Sequence, residues 1–287
     1  MRINSKISQY ISTIEKITYT KDYSLIYSNH EVYCYVDFSI EEQTKNMVYL
    51  EDIGFSCYAK KINSSDDPFS LFLVKKTSNT NLDTLYDLYE KSRSKNEWTE
   101  EDFDRIYHDL LIQYDSLFQN YFMLQDKIEE MYYPTESFFL LLIHMSDIYR
   151  LLSLGRFFLE QWRAMHVYQY QEVYTLENIL PSNFVLGNVI DVSHGKRNMA
   201  IIELSHYYHI YYYQDYLIED ISSFLEQFSL DKSEKYLFYA KLAIIKMIDG
   251  RNMLDVKSLL YYVQITYQFL LEKYQKYQKT NNNEFQE

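Results

Sequence analysis

The sequence predicts an α+β protein of two lobes: a small antiparallel β lobe that holds one helix, then a larger and mainly helical lobe. Three observations carry this. Short β-branched and aromatic runs, separated by polar turns, fill the chain before residue 76, while apolar spacing of three and four dominates from Leu82 onward. Glycine and proline are scarce, at 5 and 3 in 287 residues, which favours long helices over Gly-rich loops. Apolar residues make up 47% of the chain, enough for a real core at this length.

Taken in order, Ile17–Tyr19, Ser24–Tyr27 and Val32–Asp37 read as strands of a small sheet. Ser39 and Glu42 form a capping box, and the helix it opens should reach about Ile53 and stop at Gly54. Cys57–Ile62 and Phe69–Lys75 are two more strand-like runs, joined by the turn NSSDD. A second box at Thr99 and Asp102 opens a long amphipathic helix with Phe103, Ile106, Leu110, Tyr114, Leu117 and Tyr121 on one face. The run MYYP at 131–134 breaks it, and a further helix should run from Thr135 or Ser137 to about Trp162. Val167–Tyr174 alternates like a strand. Met199–Tyr213 is helical by composition, with an extended tyrosine run as the alternative; Ser233–Ile248 is expected as a helix, and a last one carries the stripe Val256, Leu259, Leu260, Val263, Tyr267, Leu270 and Leu271. The expected division is 1–76 for the β lobe, 77–98 for a hinge, and 99–278 for the helical lobe with a β segment embedded near 167–192. A disordered tail is expected at 279–287.

Composition excludes several function classes. Lys plus Arg is 28 against 41 for Asp plus Glu, a net charge of −13. Without a basic stripe, nucleic acid is not an expected partner. Cys34 and Cys57 make neither a disulfide framework nor a zinc pattern, so reduced thiols are expected, with synthesis in the cytoplasm. The N-terminus lacks the apolar core of a secretion signal. The most apolar stretch, Phe138–Leu152, is interrupted by His, Asp and Arg and reads as a buried helix rather than a membrane span. Tyrosine reaches 32 residues. AT-rich codon usage accounts for this; the alternative is a surface suited to assembly.

The segment from Leu176 to Tyr208, LENILPSNFVLGNVIDVSHGKRNMAIIELSHYY, concentrates the chemistry. The element order and this segment resemble the protein-kinase-like superfamily, and within it the aminoglycoside and choline phosphotransferase branch. That branch has a loop His-x-Asp-x-x-Pro-x-Asn, a strand ending in Ile-Asp, and a helix start Asp-Leu-Ala. Pro181 and Asn183 match the end of the loop, Ile190 and Asp191 match the strand, and Glu203-Leu204-Ser205 stands where Asp-Leu-Ala would. A subgroup is closer still. Kinase-like proteins associated with the endospore coat of spore-forming Firmicutes carry Leu-Pro-x-Asp-x-Val and then Asp-His-Pro-Ser-Arg-Asp-Leu-Ala-Glu. Leu180, Pro181 and Val185 fit the first block. His194, Arg197 and Ala200 fit the second, with Ser193 and Asn198 in place of its aspartates. Tyr107-His108 followed by Asp115, and Pro134 followed by Glu136-Ser137-Phe138, are weaker echoes of the same subgroup.

The resemblance implies a phosphoryl-transfer scaffold, and each part of that chemistry has a counterpart to look for. The catalytic Asp falls at Asn178, whose amide cannot accept a proton as a carboxylate does. The His of the motif falls at Leu176, and the adjacent Glu177 is the candidate substitute for the catalytic carboxylate, although neighbours on an extended loop point in different directions. Asn183 and Asp191 are the expected metal ligands, or else a turn Asn and a strand-end Asp. The strand that should carry a phosphate-binding Lys reads VYCYVDF, and the loop TKDYSLIYSNHE has no Gly. Lys75 and Lys76 lie at the expected hinge and should be solvated. His206 and His209, one helical turn apart, read as part of a tyrosine-rich face rather than a metal pair. The expected function is therefore a degenerate kinase-like protein of the spore coat, working with other coat proteins and needing no cofactor. One alternative is an active small-molecule phosphotransferase using ATP and Mg2+. A third is a helical interaction protein unrelated to kinases.

Overall fold

The computed structural model describes residues 6–38, 44–64, 66–213 and 228–284. The chain forms two compact units, 1–94 with 172–203, and 95–171 with 204–287.

The first unit is built on a five-stranded antiparallel sheet of β1 (Lys16–Tyr19), β2 (Ser24–Ser28), β3 (Glu31–Val36), β4 (Lys60–Lys61) and β5 (Ser70–Val74), in the order β1-β2-β3-β5-β4. Strand alternation sorts side chains to two faces. Leu25, Val32, Cys34, Val36, Phe72 and Val74 meet Val185 and Ile190 on one face. Ile26, Tyr35 and Leu71 meet Ile7, Ile11 and Phe69 on the other. Both faces are covered, so the sheet carries apolar residues at nearly every position.

Helix α1 (Thr44–Asp52) gives way to Gly54, whose φ of +74° is the left-handed stop that the glycine predicts. The expected box at Ser39–Glu42 lies outside the described residues. The strand expected over Cys57–Ile62 shrinks to Lys60–Lys61. The reason is a competing partner: Ala59 N–H donates to Val189 O at 2.7 Å and Val189 N–H donates to Cys57 O at 2.9 Å. Helix α2 (Asn81–Ser92) opens on a reciprocal box. Thr80 accepts from Asp83 N–H, and the Asp83 carboxylate accepts from Thr80 N–H.

Residues 172–203, expected within the helical lobe, pack with the first unit. Strand β7 (Gln169–Thr175) pairs antiparallel with β10 (Lys196–Met199), Thr175 opposite Lys196. Between them lie a 3-10 turn at Pro181–Asn183 and a hairpin of β8 (Phe184–Val185) and β9 (Asn188–Val189). The hairpin turn uses Leu186 and Gly187 at φ of 50° and 71°. The Asn188 amide donates to Lys75 O at 2.7 Å and fixes the hairpin against the end of β5.

The second unit comprises β6 (from Ser94 to Glu97) and helices α3 (Glu100–Glu129), α4 (Glu136–Ile143), α5 (Met145–Met165), α6 (Ala200–Tyr213, from Leu204), α7 (Lys232–Leu242) and α8 (Met253–Glu284). Thr99 caps α3 by accepting from Asp102 N–H. The helix expected from about 135 to 162 is broken at His144, and its halves bend by 47°. His144 sits at φ −98°, ψ 5°, and its carbonyl restarts the helix by accepting from Asp147 and Ile148 N–H. Helix α7 stops six residues before Ile248. Tyrosine hydroxyls from α3 and α8 take carbonyls that a continuing helix would keep: Tyr262 donates to Leu242 O and Tyr121 to Lys246 O, both at 2.7 Å. Helix α8 continues through Asn281–Asn283, where composition predicted a loss of structure, because propagation adds one bond per residue once a helix is nucleated. Among the described residues no single helix is long and apolar enough to cross a membrane.

Trp162 is fully buried, and its ring lies 4.3 Å from Phe103 between centroids. Gly155 on α5 allows the close approach of neighbours here. A Cβ at this position would overlap the Tyr114 hydroxyl and the Ala243 Cβ. Ala is the better helix former by about 1 kcal/mol, but overpacking costs about 1–3 kcal/mol. Gly155→Ala should therefore lower the urea unfolding midpoint, and an unchanged or raised midpoint would show that the contact is soft.

Candidate functional site

Of the sequence-predicted residues, Asn178, Asn183 and Asp191 come together around one pocket of about 360 Å3 in the first unit. Asn178, Ser182, Asn183, Ile190 and Asp191 line one side. Lys21 and Asp22, from the β1–β2 turn, and Val36 and Phe38, from the end of β3, line the other. Lys21 and Asp22 are the residues that motif reading missed. The turn that carries them needs no glycine, since the Thr20 hydroxyl donates to Tyr23 O at 2.6 Å and accepts from Tyr23 N–H at 3.1 Å. A Thr three residues before the aromatic that leads into β2 is the signal that was available.

The base of the pocket is a set of side chain to backbone clasps. Asn183 is 3% exposed. Its amide donates to Asn178 O at 2.7 Å and to Asp191 O at 2.9 Å, and its oxygen accepts from Asp191 N–H at 2.6 Å. Both donor hydrogens are thus spent on tying the loop after β7 to the end of the β8–β9 segment. Asp191 Oδ1 accepts from Ser193 N–H at 2.9 Å and from the Ser193 hydroxyl at 2.5 Å. One residue further, Val192 O and Ser193 O accept from the Asn46 amide of α1 at 2.7 and 3.1 Å.

Glu177 does not line the pocket. It sits at φ 62°, and its carboxylate accepts from Thr175 Oγ1 at 3.2 Å and lies 3.3 Å from Lys196 Nζ. Asn178 does line it, and its side-chain oxygen faces Leu180 N–H at 3.4 Å. Pro181 opens the 3-10 turn that presents Ser182 and Asn183. His194 is exposed and outside the pocket. Arg197 is also outside it. It donates to Ser92 O at 2.8 Å, lies 3.6 Å from the Glu172 carboxylate, and covers the Tyr49 ring at 5.8 Å. Lys75 and Lys76 are exposed.

Glu203 is the buried anchor of the site. One carboxylate oxygen accepts from Leu176 and Glu177 N–H, each at 2.7 Å, and the other accepts from the Tyr89 hydroxyl. Burial pushes its carboxyl up from 4.5 to about 7, although the Tyr89 and backbone donors pull the other way.

In the second unit, His206 is exposed, while a ring nitrogen of His209 lies 3.4 Å from Leu242 O and its ring packs on Tyr262. Burial holds the His209 imidazole down at about 4. Among the described residues no three His, Cys, Asp or Glu side chains cluster as a metal site.

The pocket can hold a small polar ligand. Its formal charges are one cation, Lys21, against the carboxylates of Asp22 and Asp191.

No family model matches the chain, and no curated protein matches its sequence. Solved structures do match. An aminoglycoside phosphotransferase from Alicyclobacillus acidocaldarius subsp. acidocaldarius DSM 446 aligns with a TM-score of 0.59 and 13% identity, over 96% of this chain and 96% of that one. An AMP-bound spectinomycin phosphotransferase aligns at 0.48 and 11%, over 91% and 96%. The choline kinase LicA from Streptococcus pneumoniae aligns at 0.36 and 13%, over 93% and 98%. The first of these shows the fold: the chain has a kinase-like α+β architecture, as its sequence predicts.

Two measurements test the clasps. The folded state holds the Glu203 proton at a pH where the unfolded chain has released it. This contribution is full below pH 4.5 and is lost as pH rises through about 7. The span is about 3 kcal/mol. Urea unfolding should show stability falling with pH across that window, and Glu203→Gln should flatten the slope. Asn183→Ala strips partners from Asp191 N–H and two carbonyls and should cost about 1–3 kcal/mol. Asn183→Asp, which restores neither donation, should do no better.

Proposed function

We propose that this chain is a kinase-fold protein that has lost phosphoryl transfer and works as a structural or assembly protein of the endospore coat. The observation that carries the first half is Asn178. It lines the pocket where transfer needs a carboxylate to take the hydroxyl proton, and an amide cannot take it. Glu177, the adjacent carboxylate, is turned to Thr175 and Lys196 instead.

Charge supports the same reading. Phosphoryl transfer neutralises oxygens with cations. Here Lys21 faces two carboxylates, and the inner strand β3 supplies Val36 rather than a lysine. Asn183 would lend a metal only an oxygen already bonded to Asp191 N–H.

The coat half rests on resemblance: Leu180-Pro181 with Val185, then His194, Arg197 and Ala200, in the order that coat-associated relatives carry them. On this reading the protein is made in the cytoplasm of a spore-forming bacterium and is deposited with other coat proteins on the developing endospore.

One observation favours a second reading, an active small-molecule phosphotransferase. Asp191 does reach the pocket, and the solved structure with the matching fold is named an aminoglycoside phosphotransferase. ATP and Mg2+ belong to that reading.

A thermal-shift titration separates the two. Millimolar ATP with Mg2+ should leave the melting midpoint unmoved. A ligand at 100 times its Kd adds about 3 kcal/mol, so a clear rise that Asp191→Ala abolishes would establish the enzyme instead. For the coat role, the protein should fractionate with coat extracts of mature spores; recovery only from vegetative cytoplasm would sink it.

A further inference from the structure

Outside the kinase-like pocket, the second unit carries a groove of about 520 Å3 between α8 and the α4–α5 bend. We propose that this groove binds an extended acidic peptide segment of a partner protein. The inference does not depend on whether the first-unit pocket is active.

Lys257, Tyr261, Gln264, Tyr267 and Gln268 of α8 line it. They follow helical spacing and occupy one face over about 16 Å. That length matches about five residues of extended chain. The side chains of Lys257, Gln264, Tyr267 and Gln268 make no hydrogen bond or ion pair within the described residues. Glutamine amides and tyrosine hydroxyls are the donors and acceptors that satisfy a peptide backbone. Val263 beneath them is buried and supplies an apolar floor.

The far wall is His144, held at the bend by its own backbone bonds. Its Nδ1 lies 3.0 Å from Asp147 Oδ2. Asp147 is the one carboxylate of the groove, and it is already engaged by His144 and by Arg150 at 3.5 Å. Lys257 is the free charge. In a chain of net charge −13, a groove whose unpaired charge is positive selects an acidic partner. Leu140 and Leu260 add apolar surface to the lining. An acidic segment with aliphatic residues between its carboxylates satisfies the apolar lining and Lys257 together.

The test is a random heptapeptide display library selected on the full chain, with counter-selection on Lys257→Glu. Lys257 is exposed, so the variant should fold, which circular dichroism checks. The expected result is enrichment of Asp or Glu alternating with aliphatic residues. The leading peptide, labelled, should lose at least tenfold in affinity by fluorescence anisotropy against Lys257→Glu and Gln264→Ala, and should keep its affinity for the exposed-surface variant Lys76→Ala. Enrichment of basic peptides, equal binding to both proteins, or no enrichment would overturn the proposal. A dimer that Lys257→Glu dissolves would assign the groove to a second copy of the chain and overturn it too.

Discussion

Two backbone N–H groups, those of Leu176 and Glu177, share one buried oxygen of Glu203, and the pocket's geometry follows from that contact. It fixes the start of the loop after β7. The next residue, Asn178, is thereby aimed at the pocket, and its carbonyl receives the Asn183 amide. Asn183 in turn holds Asp191 at both its N–H and its carbonyl. Asp191 accepts from Ser193 N–H, and the Ser193 carbonyl accepts from Asn46 of α1. Each link is a hydrogen bond to backbone, so the chain of contacts sets positions rather than identities. A neutral side chain that keeps the acceptor can preserve the frame even where the chemistry is gone.

That separation of frame from chemistry lets the same clasps serve the fold whatever reacting groups stand in the pocket. Scaffold residues of a kinase-like site serve the backbone here: Pro181 shapes the turn, Asn183 clasps two segments, Asp191 closes on Ser193. On the reading proposed above, the groups that would act on a substrate are replaced or redirected. Asn178 offers an amide, Glu177 is paired with Lys196, and the one lysine of the pocket comes from the β1–β2 turn.

Much of the site was legible because it is local. Pro181, Asn183 and Asp191 lie within eleven residues, and the loop-and-strand pattern they make is visible without the rest of the chain. The strands β1, β2, β3 and β5 and the Thr99 cap were legible for the same reason: alternation and capping are short-range signals. What stayed hidden is long-range. Tyr89 meets Glu203 across 114 residues, and Arg197 meets Ser92 across 105. The break at His144 has no Gly or Pro to announce it, and α7 ends where tyrosines from other helices capture its carbonyls. Strand β4 was overestimated because its neighbour Ala59 turns to Val189 instead. In each case tertiary partners override a local propensity.

The first unit is discontinuous in the chain, with residues 95–171 of the second unit intervening before 172–203 complete it. This has a consequence for synthesis. The sheet of β1 to β5 leaves the ribosome first, but one of its faces waits for Val185 and Ile190, and α2 waits for Glu203. The stretch of about 110 residues from Ser94 to Glu203 takes on the order of ten seconds to translate. During that interval Val32, Cys34, Val36 and Phe72 lack the cover of Val185 and Ile190, so one apolar face of the sheet stays open until the second half of its unit has been made.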